Sequence, residues 1–368
     1  MLPKPDLSAL TVGGAMIDTI VQIAPDRIER LTMTNAETSY LLVEAGRKVE
    51  AESIDQHIGG GAVNAAVSMA RLGAQTACLV KLGGDTHAFE VLKRLGAENV
   101  STDWVARTTA AKTGASVLVS SHERNAGVFT ARGANTLLEE ADLPDAAFER
   151  DLVYVTGLSN ASADRFPSIL AKARAAGAFV ASNPGIRQLS SRAQPFFENL
   201  ATIDLLSVNR VEAAQLVPGL IGRGCESEGG LAVEGGPDDL LVRGLEAGGF
   251  RMDFAAFVRA VTAAGPKVVL ITDGPHGAYA ATAEAITWCG TVPVEVAGTV
   301  GAGDAFASTF ACMTAAGAAP AEALHAATLN AASVIGEVDT QSGLLAHDAL
   351  TRRMAEGPAP ETRTWTLT

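Results

Sequence analysis

The chain has 368 residues, enough for two ordinary domains or one large α/β domain with additions. Hydrophobic residues make up 48% and mean hydropathy is +0.20, which supports a substantial core and excludes global disorder. The net charge is -13 and no Lys/Arg run exceeds a pair, which excludes a general nucleic-acid binder. An anionic ligand of so acidic a chain must be small, held by backbone amides and a few placed cations.

Cys78, Cys225, Cys289 and Cys312 form no CxxC pair and have no His at metal-ligand spacing, so free thiols in a reducing compartment are expected. No run approaches the ~18 apolar residues of a membrane span. The N-terminal stretch has no basic segment followed by an apolar one. The expectation is a cytoplasmic protein with no membrane partner.

Along the chain, short apolar runs alternate with helical stretches. Strands are predicted over 10–12, 76–82, 152–156, 179–183, 205–208, 267–272 and 278–281, with a further alternating strand over 292–296. Helices are predicted over 62–72, 88–95, 165–176, 210–217, 252–264, 304–316 and 321–334. Gly73, Gly96, Gly177, Gly265 and Gly317 follow several helices as C-terminal stops. This rhythm predicts parallel βαβ units, with helices on both faces of one mostly parallel sheet.

Segments 20–58 and 113–130 break the rhythm with β-like patterns and no helix between them. They predict a small antiparallel sheet outside the main one, built from two excursions and placed as a lid. Segment 218–250, rich in Gly and mixed charge, reads as a surface insertion, and 359–368 as a loosely fixed tail.

Two segments carry chemistry. Gly301-Ala302-Gly303-Asp304 puts small residues and a carboxylate at a helix start, where unpaired N–H groups can close around an anion. A carboxylate there can accept an alcohol's proton while a phosphoryl group is held beside it. Gly-Ala-Gly also makes ordinary tight turns, and Asp in a first helical turn is favoured by the helix dipole alone. Gly59-Gly60-Gly61 opens a second helix, with Asn64 one turn on, an arrangement suited to a polyol or simply to close packing. There is no GxxxxGK[ST] and no complete dinucleotide fingerprint, and the six His are scattered.

Read in order, Val12-Gly13-Gly14 with Asp18, Gly59-Gly60-Gly61 with Asn64, Leu82-Gly83-Gly84-Asp85, Gly133-Ala134-Asn135, Asn183-Pro184, Asn209 with Glu212, Thr272-Asp273-Gly274 with Gly277, and Gly301-Ala302-Gly303-Asp304 resemble the ribokinase-like (PfkB) carbohydrate kinases. The match runs from about residue 10 to about 345. It implies a single doubly wound α/β domain over 1–358 with a β-sheet lid, and ATP-dependent phosphorylation of a primary alcohol on a sugar or nucleoside.

By that resemblance Asp304 is the catalytic base, and Gly301, Ala302 and Gly303 form the anion hole. Asp18, Gly60, Gly61 and Asn64 bind the acceptor. Asn209 and Glu212 organise Mg²⁺ and phosphates through water. Thr272, Gly274 and Gly277 form the nucleotide loop, and Asn330 borders adenine. The resemblance also implies a homodimer through the lid.

Asp85 is expected to cap the helix that follows it. Arg124 and Arg132, in or beside the second lid excursion, are read as ordinary exposed arginines. The family usually carries Asp where this chain has Gly298, which argues against potassium (K⁺) activation. Such departures also fit a non-catalytic relative that senses a sugar, against which the intact 301–304 segment speaks.

Overall fold

In the computed structural model, which describes residues 4–27, 29–32, 39–42, 46, 48–120, 126–231 and 239–367, strands and helices alternate as the rhythm requires. The chain begins β1 (Ser8–Gly13), β2 (Met16–Gln22), β3 (Glu29–Thr32), β4 (Ser39–Leu42), β5 (Ser53–Gly59), α1 (Gly61–Leu72), β6 (Gln75–Leu82) and α2 (Thr86–Ala97). It continues β7 (Ala106–Arg107), β8 (Gly114–Ser120), β9 (Ala126–Ala131), β10 (Leu152–Thr156), α3 (Phe166–Ala175), β11 (Phe179–Asn183), α4 (Ile186–Ser191), α5 (Ala193–Glu198), β12 (Leu205–Asn209) and α6 (Arg210–Ile221). Next are α7 (Leu240–Arg243), β13 (Leu245–Ala247), β14 (Phe250–Met252), α8 (Phe254–Ala263), β15 (Val268–Thr272), β16 (Ala278–Ala281) and β17 (Ala285–Cys289). The last elements are α9 (Ala302–Ala315), α10 (Pro320–Ile335), α11 (His347–Glu356) and β18 (Thr362–Thr366).

The central sheet has the order β18-β17-β16-β15-β12-β11-β10-β1-β6-β7. From β7 to β15 every neighbouring pair is parallel, and β16 to β18 extend it antiparallel. Strand residues divide by parity between two cores. Val153 and Val155 face Phe166 and Phe257 on one side, while Leu152 and Tyr154 face Met69 and Phe310 on the other. A sheet buried on both faces follows from such near-continuous apolar strands. None of the described helices is long and apolar enough to cross a membrane.

The lid is a four-stranded sheet of order β5-β2-β8-β9. It begins at Met16 rather than residue 20, and its central pair β2–β8 is parallel, not antiparallel as expected. Both excursions leave the main sheet in the same direction, after β1 and after β7, so their first strands run the same way. The segment 121–125, with Arg124, lies outside the described residues.

Four other expectations change. Segment 292–296 forms no strand: β17 already has β16 and β18 on its two sides, and Pro293 has no N–H to offer a ladder. The expected tail supplies β18, because the prolines at 358 and 360 precede the strand rather than interrupt it. Gly96 lies inside α2, and the chain turns instead at Asn99, at φ 57°, a conformation Asn tolerates. The expected insertion is partly core: α6 runs through Pro218, and Leu240, Leu241 and Leu245 are buried. Its residues 232–238 lie outside the described set.

Candidate active site

Two Ala-rich helices build the centre of the site. Ala62, Ala65 and Ala66 of α1 and Ala305 and Ala307 of α9 are buried, and such small side chains let helix axes approach closely. Asn64 and Asp304 meet at this crossing, Asn64 Nδ2 donating to Asp304 Oδ2 at 2.8 Å. Burial pushes the Asp304 carboxyl above its ordinary value; the Asn64 hydrogen bond pulls it back, and the charge of Asp18 adds to the rise.

Gly301 caps α9 at φ 85°, where an added Cβ would stand 2.6 Å from Thr340 Cβ. No side chain caps α9, so the amides of Ala302, Gly303 and Asp304 open its first turn without intrahelical acceptors. Nothing lies within 4 Å of where a Gly303 Cβ would be.

The lid contributes Asp18 to the same centre. In register, His57 of β5 and Ser116 of β8 lie directly opposite Asp18, and Thr130 of β9 lies opposite Ser116, so the four share one face. Ser116 Oγ donates to Asp18 Oδ1. Asp18 is pushed up by burial, against the pull of the Ser116 hydroxyl and of His57. Its carboxylate leans over Gly59, where a Cβ would come within 1.9 Å of Oδ2. Gly60, at φ 97°, leaves no room for a side chain against the Gly14 carbonyl, and Gly61 packs on Thr156. The glycines therefore serve close packing around the carboxylates.

On the other side of the α9 start lies a cleft of about 560 Å³. Asn209, Thr272, Gly274 and Gly277 line it beside Ala302 and Gly303, and Val292, Val294, Val296 and Phe306 give it an apolar wall. The wall is the segment expected as a strand. Asn209 and Glu212 form a reciprocal cap on α6: Asn209 Oδ1 accepts from the Glu212 amide and Glu212 Oε2 from the Asn209 amide, at 2.9 and 3.0 Å. Burial raises the Glu212 carboxyl, and these backbone donors oppose it.

Asn330 is not in this cleft. It is fully buried, donating to Thr309 Oγ1 and accepting from the Leu345 amide, while Thr328, Ala331, Ala332 and Ile335 form the α10 stripe that faces the cavity. Asp85 caps α2 by accepting from the Ala88 amide, and it also accepts from Thr113. Arg132 donates to Ser159 Oγ at 2.8 Å.

The sequence pattern of the pfkB family carbohydrate kinases matches residues 31–235 and 244–347. The chain belongs to that family. Among curated relatives, Staphylococcus aureus ribokinase is 26% identical over 293 residues, spanning 77% of this chain and 85% of that protein. Mus musculus ribokinase is 34% identical over 107 residues, 29% of this chain and 33% of that protein.

The solved structure of Arabidopsis thaliana ribokinase complexed with ribose and ATP superposes with TM-score 0.68 at 20% identity, covering 94% of this chain and 98% of that one. Burkholderia thailandensis nucleoside kinase in complex with inosine superposes with TM-score 0.67 at 16% identity, covering 96% and 100%. The ribokinase-like fold and an ATP-dependent phosphotransferase activity toward a sugar or nucleoside go with this membership.

Several groups around this candidate site were not singled out by the sequence reading. Ser116 and His57 could be found only through strand register. Asp273, nearly buried, holds Arg210 Nε at 2.9 Å and Arg243 at 2.7 Å, so α7 braces the loop at 272–277 from the side. The Tyr279 hydroxyl donates to Asp239, the cap of α7, and ties the same two parts together.

Proposed function

We propose that this protein transfers the γ-phosphoryl group of ATP to a primary hydroxyl of a small sugar, with Asp304 as the base. The observation that carries this reading is the position of the α9 start between two compartments. Ala302 and Gly303 border the apolar-walled cleft, and one residue later Asp304 bonds to Asn64 and feels Asp18.

The amides from Gly301 to Gly303 steady the transferring phosphoryl group, aided by the positive end of the helix dipole. A carboxylate cannot deprotonate an alcohol outright. It orients the hydroxyl and takes the proton as the O–P bond forms, which suits a loose transition state. Asp18, Asn64 and the backbone at Gly60 and Gly61 hold the acceptor hydroxyls. Asn209, Thr272, Gly274 and Gly277 take the nucleotide.

Glu212 is the residue suited to Mg²⁺, and through water, since its carboxylate already accepts backbone N–H groups. Bound Mg²⁺ neutralises phosphate charge. No group of three or more His, Cys, Asp or Glu among the described residues could hold a metal by itself, which fits an ion carried on the nucleotide. Gly298 offers no carboxylate, so K⁺ is not required in this reading.

A sugar is favoured over a nucleoside because Phe129 sits one residue out of phase with Thr130, on the lid face away from Asp18. It therefore supplies no stacking wall for a base; the Tyr40 side chain lies outside the described residues. Ile54, Val117 and Phe129 share that outer face and are exposed, which supports a homodimer through the lid. Phe129→Asp should then lower the mass seen by sedimentation, and an unchanged mass removes the dimer. A cytoplasmic location, where ATP is plentiful, belongs to the same reading.

The deciding experiment is ADP release over pentoses, hexoses, keto-deoxy acids and nucleosides, in sodium and in potassium buffers. Turnover with a sugar and no potassium requirement is expected. A preferred nucleoside overturns the acceptor class, and sugar binding without ADP release makes the protein a sensor.

A further inference from the structure

Asn64 meets Asp304 through its amide nitrogen, and the structure contains the reason. Asn64 Oδ1 accepts from Thr340 Oγ1 at 2.9 Å and from Gln341 Nε2 at 3.0 Å. Gln341 has its own orientation fixed: its Oε1 accepts from Arg94 Nε at 2.9 Å, and its Nε2 also donates to the Ile58 carbonyl at 3.0 Å. A guanidinium can only donate. With Arg94 at one end, each amide in the series has one permitted orientation, and Asn64 Nδ2 must face the carboxylate. Arg94 is itself anchored on Glu98 at 3.1 Å.

We infer that Arg94 and Gln341, supported by Thr340, are positioning residues of the kinase, which hold the Asn64 amide so that it donates to Asp304 and favours the charged form of this base. The inference rests on the reading of Asp304 as the base. Were Asn64 turned over, its oxygen would face Asp304 Oδ2, a contact tolerable only for a protonated carboxyl, which cannot receive the acceptor's proton. Other groups facing Asp304 act differently. Asp18 from β2 raises its carboxyl further, with His57 of β5 one step behind, while Tyr154 of β10 and Glu212 of α6 couple to it by charge from the sheet side. Among these, Asn64 is the hydrogen-bond donor, and its donation favours the charged form.

The test compares Gln341→Glu, which replaces the donor by an acceptor of equal size, with Thr340→Val, Thr340→Ser and Arg94→Met. The kcat–pH profile, the melting temperature and the carboxyl ¹³C titration of Asp304 in the free enzyme are measured. Gln341→Glu should move the acid limb of kcat, and the Asp304 titration, upward by about one pH unit for a lost charge-assisted bond, and Thr340→Val, which leaves Gln341 on Asn64, should move both the same way by less. Loss of turnover at the acid end should then recover at alkaline pH, with KM for ATP unchanged. Thr340→Ser, which keeps a donor, should retain the wild-type limb.

An unmoved limb and titration in folded variants, or a loss equal at every pH, overturns the inference. If Gln341→Glu does not fold, Thr340→Val and Arg94→Met carry the same reading. Asp304→Asn separates the two levels. Near-normal turnover in that variant refutes the base assignment, while the ¹³C titration of the variants that keep Asp304 still reports whether the series of amides controls the carboxyl.

Discussion

Two glycines two residues apart, Gly301 and Gly303, should respond in opposite ways to the same added methyl group. Gly301 stands at φ 85°, and its Cβ would meet Thr340 at 2.6 Å (Cβ), 2.8 Å (Cα) and 2.9 Å (Cγ2). The left-handed backbone costs about 1–2 kcal/mol for an L-residue, and the overpacking about 1–3 kcal/mol more. Thr340 cannot simply step aside, because its hydroxyl is bonded to Asn64.

For a chain of 368 residues the unfolding entropy makes each kcal/mol worth about 1.3 °C. Gly301→Ala should therefore melt about 3–6 °C lower. It should also lose about 100-fold or more in kcat, as anion-hole amides shift. Gly303 is helical with open space around it, so Gly303→Ala should gain up to about 1 kcal/mol, or about 1 °C. Its methyl nevertheless projects toward the cleft and should raise KM for ATP. Scanning calorimetry and coupled ADP release measure both quantities. Equal melting shifts in the two variants, or wild-type turnover in Gly301→Ala, would refute the account of the turn.

Three further outcomes follow from the same geometry. Asp304→Asn should lose about 10²–10⁴-fold in kcat while calorimetric ATP affinity is kept; near-normal kcat removes Asp304 from the base role. The base acts deprotonated and burial raises its carboxyl, so kcat should fall as pH drops through a value above the ordinary ~3.9 of Asp. A profile flat down to that value contradicts the burial of the charge. Arg243→Ala leaves Asp273 with Arg210 alone, so KM for ATP should rise several-fold and melting fall by about 2–4 °C, given about 2–3 kcal/mol for half of a buried charge pairing. An unchanged KM for ATP would mean that α7 does not brace the nucleotide loop.

What could be read from the sequence, and what could not, divides along a physical line. The alternation of β10, α3 and β11 was legible because a strand buried on both faces and a helix with one apolar stripe each mark themselves locally. Segment 292–296 carries as clear an alternation and forms no strand, because pairing needs a free edge, and that edge is taken by β18 from more than sixty residues downstream.

The site divides in the same way. Asn64 and Asp304 stood out as candidates through the glycines beside them and Asp18 through the family resemblance; Gly59 and Gly301 are places where a Cβ would come within 1.9 and 2.6 Å of another residue. Asn330 was placed by the family resemblance alone; one helical step off the cleft-facing stripe turns its amide into a buried strut. Thr340, Gln341 and Arg94 left no trace, for nothing local distinguishes a side chain that orients an amide 277 positions away. A glycine records a constraint on its own backbone, whereas the direction of a hydrogen-bonded series is set by the one member that can only donate, and that member is found only when the chain has folded.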